Sequence, residues 1–157
     1  MDKPTELELE KAHRYFSAAC FNRTWDYIDK PNRTPEDEQA MLAAALTSLW
    51  HWNQRPDATA ENQAVGTWQV ARVLALLGEA ALARRYGRLS LEASQREGVP
   101  PYCLAYAYEA LARAEAAAGN RKPADDYLQL AHAAAAKVGD AETEKMLLAD
   151  LATIQVA

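Results

Sequence analysis

The feature that most restricts the fold of this chain is an internal register of 41 residues. Residues 71–93 match residues 112–134 at eight of 23 positions when compared with that offset. The matching pairs are Ala71/Ala112, Arg72/Arg113, Ala75/Ala116, Gly78/Gly119, Ala83/Ala124, Tyr86/Tyr127, Leu89/Leu130 and Ala93/Ala134. Because 34 of the 157 residues are alanine, the register depends mainly on the arginine, glycine, tyrosine and leucine pairs. Self-similarity at a fixed period of this length is typical of helical repeat proteins.

Apolar spacing and capping signals predict an all-α fold with about seven helices. The predicted helices cover about 5–28, 34–54, 60–77, 79–97, 101–118, 122–137 and 141–154. The clearest start is Thr34, since a hydroxyl cap followed by Pro35 and two acidic residues favours a helix N-terminus. No segment shows the alternation of a β-strand.

Two predicted helix pairs carry the same small residues around their turn. The positions are Ala71, Gly78 and Ala83 in the first pair and Ala112, Gly119 and Ala124 in the second. Small residues there let antiparallel helices approach closely. In this respect residues 60–138 resemble the tetratricopeptide-repeat family, although the period is 41 rather than about 34. The resemblance implies antiparallel hairpins stacked in a short right-handed solenoid.

The chain also resembles uncharacterised bacterial helical-repeat proteins, a resemblance that implies no activity. We expect one helical-repeat domain over 1–157. Within it we expect a diverged N-terminal hairpin at 1–56, two tetratricopeptide-like units at 60–138 and a C-terminal capping helix at 139–157.

Composition restricts the partners and the location of the protein. Acidic residues outnumber basic ones 22 to 17, and the net charge of −5 argues against binding to a nucleic-acid backbone. No segment has the ~18 uncharged apolar residues of a membrane span, so we expect a cytoplasmic protein without a membrane partner. Cys20 and Cys103 lie in unrelated segments, which predicts buried free thiols.

The most unusual local chemistry is the run Trp50-His51-Trp52-Asn53. Two indoles and an imidazole within one turn cannot all face the same core. One interpretation is a pocket with His51 as its titratable member, joined by Asn22, Trp25 and Trp68. The other is ordinary helix packing in which each polar tip finds a partner.

A second group of candidate binding residues lies on the central helices. Arg72, Tyr108 and Glu109 are polar residues where a helical repeat lines its concave face. Alternatively, Arg72 and its repeat equivalent Arg113 pair with acids such as Glu109 between layers.

Catalytic and metal-binding signals are weak. Glu10 and His13 form one E-x-x-H pair, whereas a di-metal bundle needs two such pairs and further carboxylates. No nucleophile elbow or phosphate-binding loop occurs. We therefore expect no metal and no cofactor.

The leading hypothesis is a non-catalytic protein- or peptide-binding module with a groove lined by helices one, three and five. A homodimer through the tryptophan-rich first half is a further prediction. The alternative is a small-molecule-binding protein or enzyme. Its pocket would be formed by His13, Asn22, Trp25, His51, Trp52 and Glu109.

Overall fold

Seven helices make up the regular structure of residues 3–156, the part of the chain that this computed structural model describes. They are α1 Glu6–Ile28, α2 Pro35–Asn53, α3 Ala60–Leu76, α4 Ala80–Ser94, α5 Pro101–Ala117, α6 Arg121–Ala135 and α7 Ala141–Leu151. That range contains no strand, so the predicted all-α fold is confirmed. The predicted domain limits also take in Met1, Asp2 and Ala157, which lie outside the described residues.

Threonine side chains start the first three helices. Thr5, Thr34 and Thr59 each accept a hydrogen bond from a backbone N–H in the first turn, and the third helical residue bonds back to the cap. At Thr34 the returning bond joins its N–H to Asp37 Oδ2 over 2.9 Å. These capping boxes satisfy N–H groups that have no partner within the helix. The predicted start at Thr34 is confirmed.

The two central hairpins have the same dimensions. The bounds of α3 and α5, and those of α4 and α6, differ by 41 residues at each end. Gly78 and Gly119 follow α3 and α5 with φ angles of 78° and 73°, in the left-handed region that glycine adopts without strain. After each glycine, the next N–H bonds back 2.9 Å to the carbonyl of Leu74 or Glu115. The two turns are therefore built alike.

The helices pack in chain order, each against the next. In addition, α3 packs against α5, and α5 packs against α7. Thus α4 and α6 each cover a pair of adjacent odd-numbered helices. The approach is close because the contact residues are small: a Cβ on Gly87 of α4 would lie only 2.9 Å from Leu111 Cδ2 of α5.

Several local predictions need correction. Helices α4, α6 and α7 end at Ser94, Ala135 and Leu151, two or three residues before the predicted ends. For α7 the reason is clear, since Arg113 and the Thr153 hydroxyl both donate to the carbonyl of Asp150. The predicted inward positions of three side chains are also wrong or incomplete: Trp50 and Met146 are exposed, and Ala75 is half-buried. Cys103 is buried as predicted, but Cys20 is only half-buried.

Candidate functional site

A cavity of about 430 Å³ opens on the face formed by α1, α3, α5 and α7. Its wall is largely aromatic, and we call it the aromatic cavity. It is lined by Phe21, Trp25, Asp29, Ala64, Val65, Trp68, Tyr102, Cys103, Tyr106, Met146 and Asp150. The helices from which we expected a groove all contribute, and α7 adds two further residues. The volume lies within the range of about 300–1,000 Å³ typical of ligand pockets.

The aromatic rings of this cavity contact one another across helices. The ring centroids of Trp25 on α1 and Trp68 on α3 are 5.6 Å apart, and those of Trp68 and Tyr106 on α5 are 4.5 Å apart. Tilted rings at such separations attract one another in addition to burying apolar area. One aromatic row therefore crosses the three helices.

A second cavity of about 250 Å³ adjoins the first, and we call it the side cavity. Its lining is Ala18, Phe21, Asn22, Trp52, Glu61, Asn62, Val65, Gly66 and Tyr102. Phe21, Val65 and Tyr102 line both cavities. The two cavities therefore form one groove with two compartments, to which we refer below as the groove.

The charged side chains that line the groove are all acidic. Asp29 and Asp150 line the aromatic cavity, and Glu61 lines the side cavity. Within the described part of the chain, neither lining includes a lysine or arginine. Glu61 accepts a hydrogen bond from the Tyr102 hydroxyl, which joins α3 to α5.

A buried polar network lies behind the aromatic cavity, and Glu109 is its centre. Glu109 is fully buried, accepts the indole N–H of Trp68 over 2.7 Å and is paired with Arg113. Arg72 Nη1 lies 3.6 Å from Glu109 and 3.0 Å from Asp150 Oδ1. The expected pairing of both repeat-equivalent arginines with Glu109 is confirmed. A buried carboxylate needs such partners, because an unpaired charge in the interior is costly.

Burial changes the proton affinity of three groups on the cavity wall. It raises the pKa of Tyr106 to about 12, with a further contribution from the negative charges of Asp150 and Glu109. Burial and the hydrogen bond to Glu61 raise the pKa of Tyr102 well above its usual value. Burial likewise raises the pKa of the Cys103 thiol to about 11. At neutral pH all three stay protonated, so Cys103 is not an activated nucleophile.

The predicted site residues fall into separate places. Trp25 and Trp68 line the aromatic cavity, whereas Asn22 and Trp52 line the side cavity. Arg72 and Glu109 belong to the network behind it, and Tyr108 stacks on Tyr127 of α6, with ring centroids 6.4 Å apart. His13 and His51 line neither cavity. The predicted pocket of His13, Asn22, Trp25, His51, Trp52 and Glu109 is therefore assembled only in part.

The two histidines contact each other instead. His13 Nδ1 on α1 and His51 Nδ1 on α2 are 2.8 Å apart, so one of the two nitrogens donates a proton to the other. Trp50 packs beside both rings. Burial, followed by repulsion from His13, lowers the pKa of His51. This pair links α1 to α2.

Sequence reasoning missed Phe21, Tyr102, Asp29 and Asp150 as groove residues. Tyr102 and Tyr106 are four residues apart on α5, a spacing that places them on one helix face and could have indicated an aromatic wall. For Asp29 and Asp150 no such signal exists, because they reach the groove from the ends of α1 and α7.

Within residues 3–156, no three His, Cys, Asp or Glu side chains lie close enough together to hold a metal ion. Among the helices in that range, none is long and apolar enough to cross a membrane. No family model, curated protein or solved structure matches the chain. The fold and site thus define an all-helical protein with an aromatic, acidic groove, and a function has to be argued from that groove.

Proposed function

We propose that this chain is a non-catalytic helical-repeat module that binds an extended segment of a partner protein, or a peptide, in the groove. The proposal includes the tetratricopeptide-like right-handed stacking and the cytoplasmic location expected from the sequence. The observation that carries it is the pair of adjoining cavities across α1, α3 and α5. Two compartments that share a wall suit neighbouring side chains of one chain.

The repeat part of the proposal is supported by the matched hairpins. Helix bounds, turn glycines and the bonds that close the turns all recur after 41 residues. Repeats that stack side by side leave one helix of each pair on a shared face, where such proteins bind their ligands. The groove occupies the face of the odd-numbered helices.

The alternative function, a small-molecule-binding protein or enzyme, has one observation in its favour. The aromatic cavity alone is large enough for a small ligand. His13 and His51, however, contribute to neither compartment, and the titratable groups on the wall hold their protons at neutral pH. Both facts favour binding over catalysis.

Selection from a random heptapeptide library, followed by affinity measurements, tests the proposal. Ala18 is an exposed residue of the side cavity, so Ala18→Trp fills that compartment without disturbing the core. Leu130→Trp, at an exposed position of α6 outside both linings, is the matched control.

We expect selected peptides to bind Ala18→Trp about tenfold more weakly than the unaltered protein, because the indole occupies the space of a peptide side chain. Binding to Leu130→Trp should be unchanged. Failure to select any peptide, or equal binding to Ala18→Trp, would refute a peptide groove.

A further inference from the structure

We infer that the aromatic cavity binds the positively charged side chain of a lysine or arginine in that partner segment. This inference rests on the proposed function and adds the chemistry of the ligand. It follows from the shape of the wall, from the rings that form it and from the charge of the residues around it.

The rings provide the first argument. A cation placed over the face of a tryptophan or tyrosine is attracted by the negative charge of the π-system, and more strongly when water is excluded. Trp25, Trp68 and Tyr106 form a continuous row of such rings. The chain already uses this chemistry, since Arg72 Cζ lies 5.1 Å from the centroid of the Trp25 ring. Arg72 does not line the cavity, so the space in front of the rings remains open.

Charge complementarity provides the second argument. Behind the cavity, the charges of Arg72 and Arg113 balance those of Glu109 and Asp150. Asp29 and Glu61 have no such basic partner and leave the groove negative. Arg33 lies near Asp29 but donates to the carbonyls of Tyr27 and Ile28, which offsets the negative end of α1.

The shape of the cavity provides the third argument. Lysine and arginine have long apolar stems that need an apolar wall and a charged end that needs a carboxylate. Val65, Phe21 and the exposed Met146 supply apolar surface, and Asp29 and Asp150 supply the carboxylates. Methionine at the entrance can adapt its shape to either stem. A neutral apolar side chain would leave the carboxylates unused.

Tryptophan indole signals in the NMR spectrum of ¹⁵N-labelled protein provide the test. Trp25 and Trp68 line the aromatic cavity, whereas Trp50 is exposed beside the histidine pair and serves as an internal control. The probes are three pentapeptides, acetyl-Ala-Ala-X-Ala-Ala-amide, in which X is lysine, norleucine or glutamate. Norleucine keeps the stem of lysine and lacks its charge.

We expect the lysine peptide to shift the Trp25 and Trp68 signals and leave Trp50 unchanged. Its Kd should be about fivefold lower than that of the norleucine peptide at about 20 mM salt, with the ratio falling towards one at about 500 mM because salt screens the carboxylates. Asp29→Asn should reduce the preference for lysine about twofold. Asp26→Asn, three residues earlier on α1 and outside both linings, should not change it.

Equal affinity for the lysine and norleucine peptides, with both shifting Trp25 and Trp68, would overturn the inference and leave the peptide groove standing. A preference for glutamate would also overturn it. If no peptide shifts Trp25 or Trp68, the inference and the proposed function both fail.

Discussion

Trp68 and Glu109, which are 41 residues apart, are joined by a hydrogen bond of 2.7 Å between the indole N–H and the carboxylate. A second bond spans the same separation, between Tyr102 and Glu61. Both bonds connect α3 to α5 at positions that are one repeat apart. The stacking of the two hairpins is therefore fixed by polar contacts between equivalent positions, as well as by small apolar residues.

Removing the Glu109 carboxylate tests how much this network contributes to stability. Glu109→Ala leaves Arg72 and Arg113 without their shared acid and Trp68 without its acceptor, all in the interior. We expect the free energy of unfolding to fall by about 3–5 kcal/mol in urea denaturation. Glu92→Ala, at an exposed position of α4, should change it by less than about 0.5 kcal/mol. A loss below about 1 kcal/mol for Glu109→Ala would show that the network is replaceable.

Alanine substitution at the turn glycines tests whether the two hairpins are equivalent. At both Gly78 and Gly119 a new Cβ would meet no atom within 4 Å, so the cost comes only from the left-handed backbone. We expect Gly78→Ala and Gly119→Ala each to lower the free energy of unfolding by about 1–2 kcal/mol. Asparagine tolerates this conformation better and should cost less at both positions. Clearly unequal losses at the two glycines would contradict equivalent turns.

The histidine pair predicts a pH dependence of stability. Because folding lowers the pKa of His51, the unfolded chain binds the proton more tightly than the folded chain does. Stability is therefore complete above about pH 6.5, the unfolded value, and decreases as the pH falls through it towards the folded pKa. We expect a lower free energy of unfolding at about pH 5.5 than at about pH 7.5.

His51→Gln should make that loss smaller, since it removes the titrating group from the contact with His13. His132→Gln, at an exposed position of α6, should leave the loss unchanged and is the matched control. If His51→Gln retains the full pH dependence, another group is responsible.

The homodimer predicted from the tryptophan-rich half remains to be tested. The surface of the first hairpin exposes Leu9, Phe16, Leu46 and Trp50, and the exposed fraction of Trp50 is 54%. In sedimentation experiments we expect a dimer that Trp50→Glu dissociates, because a buried carboxylate opposes association. Leu130→Glu, on α6, should leave the dimer intact. A protein that stays monomeric at every concentration would disprove the prediction.

The sequence could predict the helices and their turns because the signals for them are local. Thr34 caps a helix through an atom three residues away, and Gly78 ends one through its own φ angle. The 41-residue register adds a second copy of the same local rules. Helix ends were predicted less well, since the end of α7 depends on Arg113, which is distant in the chain.

The candidate site was predicted only in part. Trp25 and Trp68 could be singled out as residue types suited to a pocket, and the structure places both on one wall. His13 and His51 seemed equally suitable, but they face each other at the first hairpin. A residue type indicates what chemistry a side chain can perform, whereas its neighbours depend on how the helices pack.

By itself, then, the sequence determined the helical class, the turn positions and the period of the repeat, since hydrogen bonding and backbone preference act over a few residues. Only the tertiary structure decided which side chains meet. Asp29 and Asp150 are 121 positions apart in the chain, yet they line one cavity. Their convergence depends on the packing of α1, α3, α5 and α7, which no local pattern specifies.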